Sequence, residues 1–389
     1  MSLYQEAKKS NCYLSLPSIV CAAGGEDILP RLTQSKRFLK KRTFLDREFL
    51  VGEVENILQP SDFPPSLEAF YTRGNALLLQ AILKISPLVE GLKNKFGKHR
   101  IGVCIGTTTG GIEENFQSFL ESQDFKSTYR PNLNSLGYPA KFVQRFFGLK
   151  GPSFGVSTAC TSGLKALIQA QRLIAHNLCD AVIVGGVDSL STISLFGFDS
   201  LGILSPKACN PFSKNRDGIN IGEGACVFIA SKEPLDSSVI LESFGSNNDA
   251  FHLTKQDTHA KKAIEAIELA RQNMPVDYVN LHATGTPANE IAESLAIFST
   301  LPDTFASGIK GHIGHTLGAA GAIEAGVCIL LLHQKETLLP LHLYDGEYDS
   351  SLHPIKLVSQ PTRASLNRVM SVNFAFGGDN AVAIFGRKE

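Results

Sequence analysis

The chain of 389 residues lacks net charge, because its 37 basic residues are balanced by 37 acidic ones. A balanced charge gives no whole-chain attraction to nucleic acid or to an anionic membrane. The N-terminal stretch MSLYQEAKKSNCYL lacks the apolar core of a secretory signal. The most apolar C-terminal helix candidate, Ala319 to Leu332, contains Glu324 and is too short to span a bilayer. We therefore expect a cytoplasmic globular protein with no membrane span and no nucleic-acid partner.

The sequence also lacks paired cysteines. Its eight cysteines are scattered singly, at positions 12, 21, 104, 160, 179, 209, 226 and 328. Without a CxxC pair or a metal-ligand spacing, they are expected to be reduced thiols, and most of them small core residues. The segment GHTLGAAG lacks the lysine–hydroxyl pair of a phosphate-binding loop, so nucleotide binding is not indicated. We predict no metal site.

Short β-branched runs alternate with longer amphipathic segments, which is typical of an α/β protein. The sequence contains no linker, low-complexity tract or long charge run, and the pattern of the first half recurs in the second. We predict two similar βα halves, 1–235 and 236–389. The predicted strands are 101–105, 153–156, 180–184, 226–230, 239–243, 278–281, 369–374 and 381–385. The predicted helices are 138–147, 161–177, 261–272, 287–297 and 317–334.

The first chemically informative segment is GPSFGVSTACTSGLKAL, residues 151–167. It predicts a strand that turns through small residues and places Cys160 at or just before a helix N-terminus. The helix dipole and free N–H groups there favour a thiolate and can later bind an oxyanion. The alternative is a cysteine that merely packs a strand–helix corner, and this is the usual role of a lone buried cysteine.

Two histidine segments follow. In VNLHATGTPANE, residues 279–290, His282 ends a predicted buried strand, a rigid mount for a catalytic imidazole. In GIKGHIGHTLGAAGAIE, residues 308–324, the polar residues Lys310, His312, His315 and Glu324 stand among glycines and alanines. Metal ligation by the two histidines of this segment is disfavoured, because no carboxylate or cysteine stands beside them at ligand spacing. His312 could also be a simple turn residue.

These segments, with NPFSKNRDG…GEGA at 210–225 and NFAFGGDNA at 373–381, resemble the elongating β-ketoacyl-acyl carrier protein synthases of the thiolase superfamily. The resemblance runs from about residue 101 to the C-terminus. It implies a thiolase fold of two duplicated βα halves in α-β-α-β-α layers. It also implies a role for each matching residue: Cys160 as nucleophile, His282 and His315 as the decarboxylation pair, Lys310 and Glu324 as their support, Phe374 and Phe376 at the gate and oxyanion hole, Thr284 and Thr286 on the pantetheine arm, and Thr109 and Phe198 in the acyl pocket.

The resemblance further implies the reaction and its partners. An acyl group would pass to Cys160 and then condense with malonyl-acyl carrier protein as CO2 is lost. No resident cofactor is expected, because the phosphopantetheine arrives on the acyl carrier protein. The chain would form a homodimer, or a heterodimer with a subunit like a chain-length factor.

Some positions depart from the family pattern. Asp379 replaces the usual threonine after the Gly-Gly pair and would add a charge near the mouth of the site. Thr109, which by the resemblance would line the acyl pocket across the dimer interface, is smaller than the usual pocket residue, so its hydroxyl could contact an unsaturated starter. The basic helix that commonly docks the carrier protein is missing. An upstream cluster could replace it, or could be only a solvated helix face: Lys36, Arg37, Lys40, Lys41 and Arg42.

These departures favour polyketide or polyene synthesis over housekeeping fatty-acid synthesis. Two alternatives remain open: a non-catalytic partner like a chain-length factor, and a starter-unit acyltransferase. The presence of Cys160 argues against the first, because such subunits lose the nucleophile. A thiolase would need a second catalytic cysteine near the C-terminus, and an initiating synthase would have asparagine in place of His315.

Overall fold

The computed structural model of the chain describes residues 11–25, 27–124, 129–334 and 336–388. Most of the N-terminal stretch MSLYQEAKKSNCYL, in which no secretory signal was predicted, lies outside these described residues. In chain order, helices α1 to α10 are Ile28–Leu32, Arg73–Phe96, Ile112–Ser122, Tyr138–Phe147, Ser162–Ala175, Thr192–Ser200, Lys261–Arg271, Pro287–Thr300, Lys310–Ile313 and Ala320–His333. Strands β1 to β16 are Tyr13–Leu14, Ser18–Cys21, Lys40–Phe44, Arg47–Val51, Ile101–Gly106, Ser153–Val156, Ala181–Asp188, Gly224–Ser231, Val239–Asn248, Tyr278–Asn280, Phe305–Ser307, Glu336–Leu338, Lys356–Leu357, Arg363–Ser365, Arg368–Ala375 and Asp379–Arg387.

The strands form two sets with the same topology. In the first set, β6, β5 and β7 are parallel, and β8 and β2 continue the set antiparallel. In the second set, β11, β10 and β15 are parallel, and β16 and β9 continue it antiparallel. The corresponding strands also occur in the same order along the chain, which confirms the predicted duplication. Strand β1 pairs with both β8 and β9 and joins the two sets into one sheet.

The hydrophobic cores define five layers. Helices α5 and α10 share one core with the facing sides of both strand sets. Helices α2 and α4 cover the outer side of the first set, and α7 and α8 cover the outer side of the second. The two central helices approach closely, because a Cβ added to Gly163 would lie only 2.5 Å from the backbone nitrogen of Ala322. The α-β-α-β-α arrangement is therefore confirmed.

The predicted elements occur at the expected places, and their ends differ by a few residues. The helix at 138–147 and the strand at 153–156 match in both bounds. The strand predicted at 239–243 extends to Asn248, because it pairs with β16 over nearly its whole length. Helix α2 is long and apolar enough to cross a membrane by length and composition, but more than half of its most apolar window is buried, and it packs on β5, β7 and β8.

The upstream basic cluster is not a helix face, so that interpretation was wrong. Lys40 to Arg42 lie on β3, which pairs with β4. Lys40 contacts Glu53 at 2.7 Å, and Arg42 contacts the same carboxylate at 2.9 Å. Lys41 contacts Glu48 at 2.6 Å.

Arg37 of the same cluster points into the protein. Its guanidinium donates to the carbonyl oxygens of Cys209 and Gly311, at 2.6 and 3.1 Å. Four of the five cluster residues therefore have internal partners, which weakens the idea that this cluster recognises a carrier protein. The segment PPSLEAFYTRG, residues 64–74, stands in place of the family's basic docking helix, and Arg73 is its one basic residue. Arg73 is also used internally, in an ion pair with the buried Glu223 at 2.5 Å.

Candidate active site

Cys160 lies in the turn between β6 and α5. Ala159, just before it, has a positive φ of 52°, and Ser162 begins the helix two residues later. The Ser162 hydroxyl accepts a hydrogen bond from the Thr158 N–H at 2.9 Å and so closes the turn. Cys160 keeps some solvent exposure, whereas the other seven cysteines are buried free thiols. The position just before a helix N-terminus is as predicted.

His315 lies beside this sulfur. Its Nε2 is 3.0 Å from the Cys160 Sγ. Its Nδ1 accepts the N–H of Leu317 at 3.2 Å. A neutral imidazole that accepts at Nδ1 must have its proton on Nε2, so His315 presents an N–H donor to the sulfur.

His282 lies two residues after the end of β10, and its ring has the same tautomer. Its Nδ1 faces two donors, the Lys310 Nζ at 3.3 Å and the Asn373 Nδ2 at 3.4 Å. The Nε2 of His282 must therefore also bear a proton. The two imidazole rings are perpendicular, with centroids 5.5 Å apart.

Cys160, His282 and His315 each place one donor atom within 4.8 Å of the others. Such a set could in principle hold zinc. Both Nε2 atoms, however, bear protons because both Nδ1 atoms accept hydrogen bonds. This pattern favours hydrogen-bond donation to a substrate oxygen over metal ligation.

A buried polar network supports the histidines. Lys310 forms an ion pair with Glu324, and their side chains are only 2% and 1% exposed. Asn373 donates to the second oxygen of Glu324 at 2.5 Å. Glu293 accepts the backbone N–H of His282 at 2.6 Å.

Asn373 and Glu293 were missed by the sequence analysis. Asn373 lies within the NFAFGGDNA segment, but its partners there could not be read from the sequence. The sequence did contain a sign that Glu293 is buried. Glu293 is a carboxylate on the helix face that also carries the buried Ala292 and Ala296.

The electrostatics of the three residues follow from burial. Burial lowers the pKa of His282 and of His315 well below the usual value, and the nearby Lys310 ammonium acts in the same direction. Both imidazoles are therefore neutral at pH 7. Burial also raises the pKa of the Cys160 thiol to about 12, although Lys310 and the Phe376 N–H act to lower it. Burial of the sulfur thus favours the thiol form and opposes the effect of the helix terminus, which favours the thiolate.

A small cavity opens beside the sulfur and brings together most of the predicted site residues. Phe374, Phe376, Phe198, Thr284 and Thr286 line it together with Cys160 and the two histidines. The rings of Phe198 and Phe376 are 6.0 Å apart, and the two threonine hydroxyls are 3.0 Å apart.

Three further residues line this cavity and were not anticipated. Ile203 and Ile219 add apolar surface, and Gln256 donates to the Phe374 carbonyl at 3.3 Å. Gln256 lies in a loop whose sequence has no periodic pattern that would have placed it here.

Thr109 is not among the residues that line this cavity. Its hydroxyl donates to Oδ1 of Asp188 at 2.8 Å, and both residues are buried. The same carboxylate accepts the Thr107 hydroxyl at 2.7 Å and the Gly318 N–H at 2.6 Å. The Thr109 hydroxyl thus donates its proton to a buried carboxylate, and the place of Thr109 in an acyl pocket across a dimer interface stays a prediction.

Asp379 does not add an uncompensated charge. Its carboxylate contacts the Lys165 Nζ at 2.5 Å and the Thr161 hydroxyl at 2.6 Å.

Comparison with known proteins agrees with this geometry. The β-ketoacyl synthase N-terminal domain model matches residues 89–234, and the C-terminal domain model matches residues 238–343. A 3-oxoacyl-[acyl-carrier-protein] synthase 2 of Coxiella burnetii is 32% identical, over 76% of this chain and 77% of the relative. A putative polyketide β-ketoacyl synthase 1 of Streptomyces cyaneus is also 32% identical, over 74% of this chain and 75% of the relative.

Among solved structures, a chain from the complex of the ketosynthase ApeO with its chain length factor ApeC, from Xenorhabdus doucetiae, superimposes with a TM-score of 0.91. It is 35% identical, and the match covers 97% of this chain and 98% of the other. Together with the two family models, this likeness shows that the chain belongs to the β-ketoacyl synthase family and is an acyl-transferring condensing enzyme.

Proposed function

We propose that Cys160 carries the acyl group and that His282 and His315 assist its extension with malonyl-acyl carrier protein. In the first step the Cys160 sulfur attacks an acyl thioester. A sulfur–carbon bond forms, the thioester bond of the donor breaks, and the thiol proton ends on the departing pantetheine sulfur. The oxyanion of this step would lie on the backbone N–H groups of Cys160 and Phe376.

In the second step a malonyl thioester loses CO2. The carbon–carbon bond to the carboxylate breaks, and its electron pair forms an enolate. The Nε2–H groups of His282 and His315 would hold the enolate oxygen. The enolate carbon then attacks the acyl-Cys160 carbonyl, which releases the sulfur and leaves a β-ketoacyl chain on the carrier protein.

One observation carries this proposal. Two neutral imidazoles lie beside the same sulfur, with one ring nitrogen of each and the Cys160 Sγ within 4.8 Å of one another, and each tautomer is set by a donor at Nδ1. Two convergent N–H donors suit a developing negative oxygen but not a general base. The intact nucleophile and histidine pair also favour a catalytic subunit over a partner like a chain-length factor.

The pantetheine arm would enter past Thr284 and Thr286, which line the cavity beside Cys160. We infer that this arm arrives on an acyl carrier protein and that no resident cofactor is needed, as the names of the relatives support. The likeness to a ketosynthase complex supports a dimer, either with a second copy or with a subunit like a chain-length factor.

We further propose a role in polyketide or polyene synthesis, in the cytoplasm. The nucleophile would belong to an N-terminal half, residues 1–235, and the histidines to a C-terminal half, residues 236–389. The relatives include both polyketide and fatty-acid synthases.

The proposal is tested by mass spectrometry of the purified protein after incubation with acyl-acyl carrier protein. The acyl mass should appear on the Cys160 peptide, and addition of malonyl-acyl carrier protein should move it to a β-ketoacyl product. Cys160→Ala should give neither species while retaining the wild-type circular dichroism spectrum. Product formed by Cys160→Ala would refute the assignment, and acyl-Cys160 that is never extended would indicate a starter-unit acyltransferase.

A further inference from the structure

The turn that carries Phe376 joins the last two strands of the second set. Residues 376–378 connect β15 to β16, and Ala375 pairs with Asp379 across the base of this turn. Gly377 and Gly378 have positive φ values of 81° and 72°. Phe376, which lines the same cavity as Cys160, is therefore held at the start of a tight hairpin turn.

One side of this hairpin is attached to the end of β9 and the loop after it. The Asn248 side chain donates to the Gly377 carbonyl at 2.8 Å, and the Asp249 N–H donates to the Gly378 carbonyl at 2.8 Å. The Gly377 N–H donates to the Leu253 carbonyl at 2.7 Å. Leu253 is 81% exposed, so this attachment leads to a surface loop.

The other side of the hairpin is attached to α5, the helix that follows Cys160. Asp379, at the base of the turn, bridges Lys165 and Thr161, and Thr161 directly follows Cys160. The side chains of Lys165 and Asp379 are 17% and 14% exposed, so the contact is mostly shielded from water. It is the one ion pair that the described residues place between α5 and this hairpin.

The two expected oxyanion donors thus belong to different elements. The Cys160 N–H belongs to the turn before α5, and the Phe376 N–H belongs to the β15–β16 turn. Their separation depends on how the turn sits against the helix, and a displacement of about 1 Å in a catalytic group can cost roughly a hundredfold in rate.

We propose that the Lys165–Asp379 ion pair is a positioning device that holds the Phe376 N–H against Cys160 for acyl transfer. Neither residue touches the reacting atoms, so both act through the turn. This inference rests on the proposed role of Cys160.

The proposal separates two activities of the site. Acyl transfer needs the oxyanion N–H groups, whereas malonyl decarboxylation needs the histidine pair, which is supported by Lys310, Glu324 and Asn373. Loss of the ion pair should therefore slow acylation of Cys160 and leave decarboxylation nearly unchanged.

The test is single-turnover acylation of Cys160 by an acyl-pantetheine thioester, followed by intact-protein mass spectrometry. Asp379→Asn and Lys165→Met should each lower the maximal acylation rate by roughly ten- to a hundredfold, with the half-saturating thioester concentration little changed. Malonyl decarboxylation should stay within about twofold of wild type, since its donors are untouched. Lys165→Arg keeps the charge and the donor and should retain most of the acylation rate.

Lys262→Met serves as a matched control. It removes a lysine from an exposed pair with Glu265 on α7 and should acylate at the wild-type rate. Wild-type acylation by both Asp379→Asn and Lys165→Met would overturn the inference, and so would a parallel fall in decarboxylation. A wild-type protein that never acylates Cys160 would instead refute the proposed function.

Discussion

The Nε2 of His315 and the sulfur of Cys160 lie 3.0 Å apart although 155 residues separate them in the chain. Cys160 comes from the turn before α5 in the first half, and His315 comes from the loop before α10 in the second. Because α5 and α10 pack against each other between the two strand sets, their preceding loops meet. The duplicated fold therefore builds one site from one loop of each half.

The histidine pair should separate the two half-reactions. His282→Ala and His315→Ala each remove one of the two N–H donors to the enolate oxygen. Malonyl decarboxylation should then fall by roughly a hundredfold or more, while acylation of Cys160 remains measurable. Release of CO2 and the intact mass of the acylated protein report the two steps separately. A histidine variant that decarboxylates at the wild-type rate would lose its assigned role.

Decarboxylation should be insensitive to pH between 6 and 8. Burial and the Lys310 ammonium hold the pKa of both imidazoles well below the ordinary value of 6.5, so both are neutral throughout this range. Only at lower pH would the Nδ1 atoms take protons, losing the hydrogen bonds they accept and adding positive charge beside Lys310. The profile is measured with saturating malonyl-acyl carrier protein, and circular dichroism at each pH controls for unfolding. A half-maximal rate near pH 6.5 would contradict the neutral-imidazole assignment.

Glu324→Gln should be costly for stability and for decarboxylation. The substitution removes the negative partner of Lys310, a residue that is only 2% exposed. Breaking a buried ion pair by removing one partner typically costs about 3–5 kcal/mol in the free energy of unfolding. Urea denaturation measures this cost.

Glu90→Gln is the matched control for that experiment. Glu90 pairs with Lys93 on the surface of α2 and is 55% exposed. Its loss should change the free energy of unfolding by less than about 1 kcal/mol. Equal costs for the two variants would mean that the Lys310–Glu324 pair is not a buried support.

Thr109 should affect stability and not substrate choice. Its hydroxyl donates to the buried Asp188, so Thr109→Val should cost about 1–3 kcal/mol in the free energy of unfolding. Thr109→Ser keeps the donor and should cost less. Competition between a saturated and a polyunsaturated acyl substrate of equal length should give the same preference in wild type and in both variants. A changed preference would restore a direct role for Thr109 in reading the acyl chain.

The sequence by itself predicted the fold class and the duplicated halves, and it supplied the proposal that Cys160 is the nucleophile and that His282 and His315 are the histidine pair. Helix and strand positions depend on local periodicity, on Gly and Pro, and on small residues at turns. All of these features are visible in the local sequence. The helix at 138–147 and the strand at 153–156 were predicted to the residue for this reason. Cys160, His282 and His315 were singled out because the segments that contain them resemble the motifs of the β-ketoacyl synthases.

Only the tertiary structure decided the partners of the charged and polar side chains. Asn373 reaches Glu324 across 49 residues, and Asp379 reaches Lys165 across 214. The hydroxyl of Thr109 serves Asp188, and Arg37 of the basic cluster points inward. A hydrogen bond or ion pair acts over a few ångströms in space, and separation along the chain does not indicate which groups will meet. Those partners depend on how the layers pack, and packing is a property of the whole fold.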